Sequence, residues 1–168
     1  GCLETRKSGL SLFGVQRVEE MCRVGIAIDV SHCAEQTCLD ACAHATRPVL
    51  LTHANANAVV RRPRNKSDEV IKAVAKTGGV IGCSIHGYLN WRGDPNKQSS
   101  LEDFVANVKY IGQLVGFEHV GIGTDFPSVE SYARAGSGEY GLFHLPGRAG
   151  PGKLPHTWIV DLREEFAA

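Results

Sequence analysis

The chain has 168 residues, 18 of them basic and 18 acidic, with hydrophobic residues at 43% and charged residues at 21%. That length suits one domain with a substantial core, and the balanced charge, with no Lys/Arg block, argues against nucleic acid or an anionic membrane as a partner. No apolar run approaches the roughly 20 residues needed to cross a bilayer, and the polar, charged opening is unlike a signal peptide.

The first residues through Ser8 read as loop. From Leu10 to Val24 the apolar residues Phe13, Val15, Val18, Met21 and Cys22 recur at helical spacing, and Gly25 stops the helix. "IAIDV", Ile26 to Val30, is short, β-branched and mostly apolar, as a parallel strand covered on both faces should be. A helix over Ala34 to Ala45 follows, then Pro48 and the strand "VLLT", Val49 to Thr52. After a loop with a short helical turn, Ser67 is placed to cap a helix whose first turn carries Asp68 and Glu69 and which ends at Gly78-Gly79.

"VIGCSI", Val80 to Ile85, is the third strand, and a polar loop from His86 to Ser99 follows it. Ser100 can cap a further helix with Leu101, Phe104, Val105, Val108, Ile111 and Leu114 as its apolar stripe. "HVGIGTD", His119 to Asp125, is the fourth strand. The Gly- and Pro-rich stretch beyond it reads as loop, and a last short helix is expected from His156 or Thr157 to Phe166.

Strands alternating with helices imply a parallel sheet with right-handed crossovers. Both a doubly wound sheet and part of an eight-stranded β/α barrel fit. No Gly-x-Gly-x-x-Gly or Gly-Lys-Ser/Thr loop follows any strand, which weakens a nucleotide-binding version. Six cysteines, Cys2, Cys22, Cys33, Cys38, Cys42 and Cys83, form no Cys-x-x-Cys pair. Spread through apolar patterns, they read as reduced, buried thiols, and a cytoplasmic location is expected.

In parallel β/α proteins the chemistry collects at the carboxyl ends of the strands. Those ends bear Ser31-His32, Thr52-His53, the Ser84/His86 region and Asp125. The hydroxyl–histidine phrase recurs after 21 residues. Neighbouring parallel strands lie about 4.8 Å apart, so two histidines at one level can both reach a metal ion at about 2 Å. Asp125 can add a carboxylate, as ligand or as proton acceptor. His86 can line the same pocket but is not read as a ligand. Cys83 and Ser84 read as structural, and His44, His119, His144 and His156 as surface or loop residues. Of Arg61, Arg62 and Arg64, one guanidinium above this face can grip a carboxylate by a bidentate pair.

"GLSLFGVQRVEEMCRVGIAIDVSH", "THANANAVVRRPRN", "DEVIKAVAKTGGVIG" and "LVGFEHVGIGTDF" together resemble the membrane dipeptidase (renal dipeptidase) family of zinc peptidases, from about Gly9 to Phe126. The resemblance implies an α/β fold, a parallel (β/α) barrel of TIM type, with a binuclear zinc centre that hydrolyses small dipeptides. It implies His32 and His53 as ligands of the second zinc, Arg64 as the contact to the substrate carboxylate, and Asp125 as the group implicated in proton transfer.

The family's first zinc needs a His-x-Asp motif, and none occurs here; its Asp-Phe-Asp-Gly reads Asp125-Phe126-Pro127-Ser128. The expectation is therefore that residues 1–168 form a single partial barrel domain encoding about half of the barrel. Its N-terminal half and C-terminal helix would come from a complementing segment or a second copy in a homo-oligomer. Two other readings stay open: a related metal-dependent amidohydrolase acting on a non-peptide molecule, and an inactive fragment lacking the first zinc site.

Overall fold

The computed structural model describes residues 1–5, 8–92 and 99–125. Helix α1, Leu12–Val24, starts where the Ser11 hydroxyl accepts from the Gly14 amide, and ends at Gly25, whose φ of 80° is the left-handed conformation that favours glycine. Strand β1, Ile28–Asp29, leads to α2, Glu35–His44, and strand β2, Val49–Leu50, leads to α3, Asp68–Lys76. Strand β3, Ile81–Cys83, is followed by the single turn α4, Gly87–Asn90, and then by α5, Leu101–Val115. A 3-10 turn, Phe117–His119, delivers the chain to β4, Val120–Ile122.

Among the described residues all pairings are parallel. β1 pairs with β2 in the register Ile28–Val49, and β3 with β4 in the register Ile81–Val120, Gly82–Gly121 and Cys83–Ile122. A parallel bridge between Leu51 and Ile81 joins the two pairs, so the strands follow one another in chain order. The helices keep the same order, α1 on α2, α2 on α3, and α3 on α5. A doubly wound sheet reverses its strand order at a switch point, and among the described strands there is no reversal. Among the described residues the fold is a mixed α/β one with its strands in chain order.

The core lies between helices and sheet. Leu51, Val70, Ile71, Val74, Ile81, Cys83, Phe104 and Ile111 are fully buried. The strong amphipathic patterns of α3 and α5 explain this, and both helices are capped by serine. The Ser67 hydroxyl accepts from the Val70 amide. Ser100 and Asp103 satisfy each other's backbone N–H in a capping box. Helix α1 is the exception: Phe13, counted in its expected apolar stripe, is 63% exposed and lies beneath the Arg17 guanidinium.

The strands are shorter than the apolar runs that mark them. Beyond Asp29 and Leu50 the amides of Ser31 and Thr52 donate to the Asp29 carboxylate, at 3.0 and 3.2 Å, instead of continuing the ladder. The expected loop from His86 is also interrupted: the Asn90 side chain donates to Ser84 O and His86 O, both at 2.9 Å, and closes α4. His119, assigned to the surface, binds Gly79 O through Nδ1 at 2.8 Å and ties the 3-10 turn to the start of β3. The loop from Phe126, the Gly- and Pro-rich stretch and the expected last helix fall outside the described residues.

Candidate metal and substrate site

At the carboxyl ends of β1 and β2 the two hydroxyl–histidine phrases meet. His32 Nε2 and His53 Nε2 stand 2.9 Å apart, with ring centroids 5.0 Å apart. The parallel register sets this meeting, because Ile28–Val49 and Asp29–Leu50 are partners and each histidine follows shortly after its strand.

Beneath the pair lies Asp29, to which the sequence reading gave no role. Its Oδ1 accepts from the Ser31 amide and the Ser31 hydroxyl (3.0 and 2.5 Å), and from the Thr52 amide. Its Oδ2 accepts from the Thr52 hydroxyl at 2.8 Å. Burial pushes the Asp29 carboxyl up, but the bonds from Ser31 and Thr52 outweigh it and hold the group below its usual 3.8. The one signal for this role in the sequence is a carboxylate inside an otherwise apolar strand.

The network also assigns a tautomer. The Thr52 hydroxyl has one hydrogen and gives it to Asp29, so toward His53 Nδ1, 2.8 Å away, it accepts. His53 therefore carries its hydrogen on Nδ1 and presents the Nε2 lone pair to the site. Such a chain of carboxylate, hydroxyl and imidazole orients a metal-binding histidine and strengthens its basicity. Ser31 completes the link, its hydroxyl accepting from the His53 amide at 3.1 Å.

Asp125, three residues beyond β4, has a φ of 55°, a left-handed conformation that Asp tolerates better than most residues. Its Oδ1 lies 3.9 Å from His53 Nε2. Glycine is required on the way to it. A Cβ at Gly123, or at Gly82 in β3, would run into the Thr52 carbonyl oxygen, so β3 and β4 approach the end of β2 only as glycine.

Arg64 is buried, and its Nη1 donates to Ser31 O at 3.1 Å. His32 titrates below its usual value, first because burial disfavours the imidazolium and then because the Arg64 guanidinium repels it. Burial lowers His86 as well, with Arg64 adding to the effect and Asp125 opposing it. Of the other two arginines, Arg61 is exposed and Arg62 lies over the Tyr88 and Trp91 rings at 4.7 and 5.5 Å. His32, His53, Asp125 and Arg64 thus occupy one end of the sheet.

Two nitrogens bound to one tetrahedral zinc at about 2.0–2.1 Å stand about 3.3 Å apart. The imidazole pair lies within a few tenths of an ångström of that spacing, and its donors suit a borderline-soft ion. The fit is partial: among the described residues no group of three or more His, Cys, Asp or Glu side chains is arranged to hold a metal ion.

Chains of known structure share this mixed α/β arrangement. An amidohydrolase from Pseudomonas aeruginosa superposes with a TM-score of 0.69 at 37% identity, over 76% of this chain and 38% of that one. A metallo peptidase from Rhodobacter sphaeroides, liganded with a phosphinate mimic of the dipeptide L-Ala-D-Ala, shares the fold with a TM-score of 0.66 at 24% identity, over 80% of this chain and 43% of that one.

The sequence narrows the class further. The family model of the membrane dipeptidases (peptidase family M19) matches residues 1–136, and the chain belongs to that family. Dipeptidase tcpJ of Claviceps purpurea is 35% identical over 126 residues, 75% of this chain and 29% of that protein. An uncharacterized protein of Klebsiella pneumoniae is 32% identical over 122 residues, 72% of this chain and 45% of that protein. The chain spans less than half the length of these curated relatives. No helix among the described residues is long and apolar enough to cross a membrane.

Proposed function

We propose that the chain carries part of the active site of a zinc-dependent dipeptidase, with His32 and His53 as ligands of one zinc ion. The observation that carries this reading is the 2.9 Å approach of their Nε2 atoms at the ends of adjacent parallel strands. When bound, zinc supplies Lewis-acid activation of water and of a carbonyl oxygen. The chain's own residues do the rest. Asp29, through Thr52, holds the His53 lone pair on the site. Asp125, exposed beside His53, takes a proton from the attacking water and returns it to the leaving amine. Arg64 has five N–H donors, of which Ser31 O takes one, and the guanidinium grips the carboxylate of the dipeptide.

On this reading residues 1–168 are one partial domain of a TIM-type barrel. The order of the four described strands supports it, as does the greater length of the dipeptidase relatives. A second reading, a related amidohydrolase acting on a non-peptide amide, draws on the 37% identity to the Pseudomonas protein.

Zinc content and dipeptide hydrolysis measured on the full chain and on the His32→Ala/His53→Ala double variant test the proposal. Both should be lost in the variant, and retention of either at the wild-type level would sink it. Dipeptides inert beside hydrolysed cyclic amides would select the second reading.

A further inference from the structure

Lys66 is 4% exposed, and no carboxylate pairs with it among the described residues. An ammonium has three N–H donors and no acceptor, and three acceptors meet it. Val30 O lies at 3.2 Å, Cys33 O at 2.8 Å and Cys38 Sγ at 3.6 Å. The two carbonyls bracket Ser31 and His32. Burial pushes the Cys38 thiol up to about 11, so it meets the lysine as a neutral acceptor.

The backbone of the same residue reaches the other histidine. Lys66 pairs in parallel with Ala56, its N–H donating to Asn55 O and its carbonyl accepting from the Asn57 amide, both at 2.8 Å. Asn55 lies two residues beyond His53. One residue therefore ties the turn that holds His32, by its side chain, to the segment leaving His53, by its main chain.

Neighbouring bonds complete the clasp. Arg64 holds Ser31 O, the Cys2 amide holds His32 O at 2.9 Å, and the Ser67 hydroxyl reaches Glu35 Oε1 at 2.9 Å. Every carbonyl from Val30 to Cys33 thus has a donor. A methionine would fill the space of Lys66 without the cost of burying a charge. What the ammonium adds is directed hydrogen bonding around the His32 turn.

We propose that Lys66 is a positioning residue that sets the separation and orientation of His32 and His53, and through them the affinity of the pair for a divalent cation; this rests on the zinc reading above. Supporting groups of this kind typically change metal affinity by 10–100-fold.

The test uses the full chain as wild type, Lys66→Met and Lys66→Gln, the last keeping two N–H donors without charge. Zinc affinity is measured by competition with a chromophoric chelator, and hydrogen exchange is followed in the metal-free protein. Lys66→Met should weaken zinc by about 10–100-fold and raise exchange across residues 28–38 while α5 keeps its protection. Lys66→Gln should recover part of the affinity. A folded Lys66→Met chain with zinc affinity within about twofold of wild type, or with unchanged exchange across 28–38, overturns the proposal. So does failure of both variants to fold, which would make Lys66 a residue of the core. The His32→Ala/His53→Ala chain separates the two ideas: unchanged zinc binding there defeats the zinc reading itself, whereas loss there beside an unaffected Lys66→Met defeats only the role of Lys66.

Discussion

Asp29 carries more of the site's order than either histidine, since four donors from two strands converge on it. Removing it leaves the Thr52 and Ser31 hydroxyls free to turn and releases the His53 tautomer. Asp29→Ala and Thr52→Val should each lower zinc affinity about 10–100-fold, read by chelator competition, with His53 still in place. The same carboxylate makes a pH prediction. Its folded pKa lies below the ordinary 3.8, so its contribution to stability is complete above that value. It is lost as the pH falls through the lower folded pKa. The melting temperature of wild type should therefore exceed that of Asp29→Asn at neutral pH, and the gap should shrink below about pH 4. A constant gap across that range would contradict this account.

At the scale of elements, the sheet's spacing depends on two missing side chains. A methyl group at Gly82 or Gly123 meets the Thr52 carbonyl, which is backbone and cannot swing aside. Gly82→Ala should cost about 1–3 kcal/mol in urea unfolding, the usual range for overpacking, and reduce zinc affinity because the displaced Thr52 carbonyl directly precedes His53. Ser100→Ala provides the contrast. It removes the capping box of α5 and should cost about 1 kcal/mol with zinc affinity unchanged, since among the described residues the Ser100 hydroxyl bonds only within the first turn of α5.

Across the whole molecule, a buried amide network joins elements far apart in sequence. Asn55 Nδ2 donates to Ser84 O and Asn90 Oδ1, Asn107 Nδ2 to Asn90 Oδ1, and the Ala56 amide to Asn107 Oδ1. Asn107→Leu orphans the Ala56 amide, and a buried unsatisfied donor costs about 1–3 kcal/mol; the urea midpoint should fall accordingly. Among the described residues β1 and β4 each pair on one side only, and Ile26 and Ile122 are 56% and 53% exposed. Open parallel edges favour pairing with further strands. The partial-barrel proposal therefore expects solution scattering to show assembly with a second copy or a complementing segment, and a closed monomer of 168 residues would count against it.

The amino-acid pattern by itself determined the alternation of strands and helices, the serine caps of α3 and α5, and the placing of His32 and His53 at strand ends. Each of these follows from local periodicity or from chemistry repeated at a fixed spacing. Asp125 stood out by its place at a strand end, whereas Arg64 was chosen among three loop arginines only through family resemblance, because a lone arginine in a loop has many ordinary uses. Only the tertiary structure decided which residues support the pair. Asp29 reads as a blemish in an apolar strand, and Lys66 as one more charge before a helix, until parallel pairing brings Thr52 over the one and the His32 turn over the other. Hydrogen bonds between groups 20 to 40 residues apart leave no periodic trace in a sequence. They exist because the register of β1 on β2, and of β2 on β3, sets the distances at which they form.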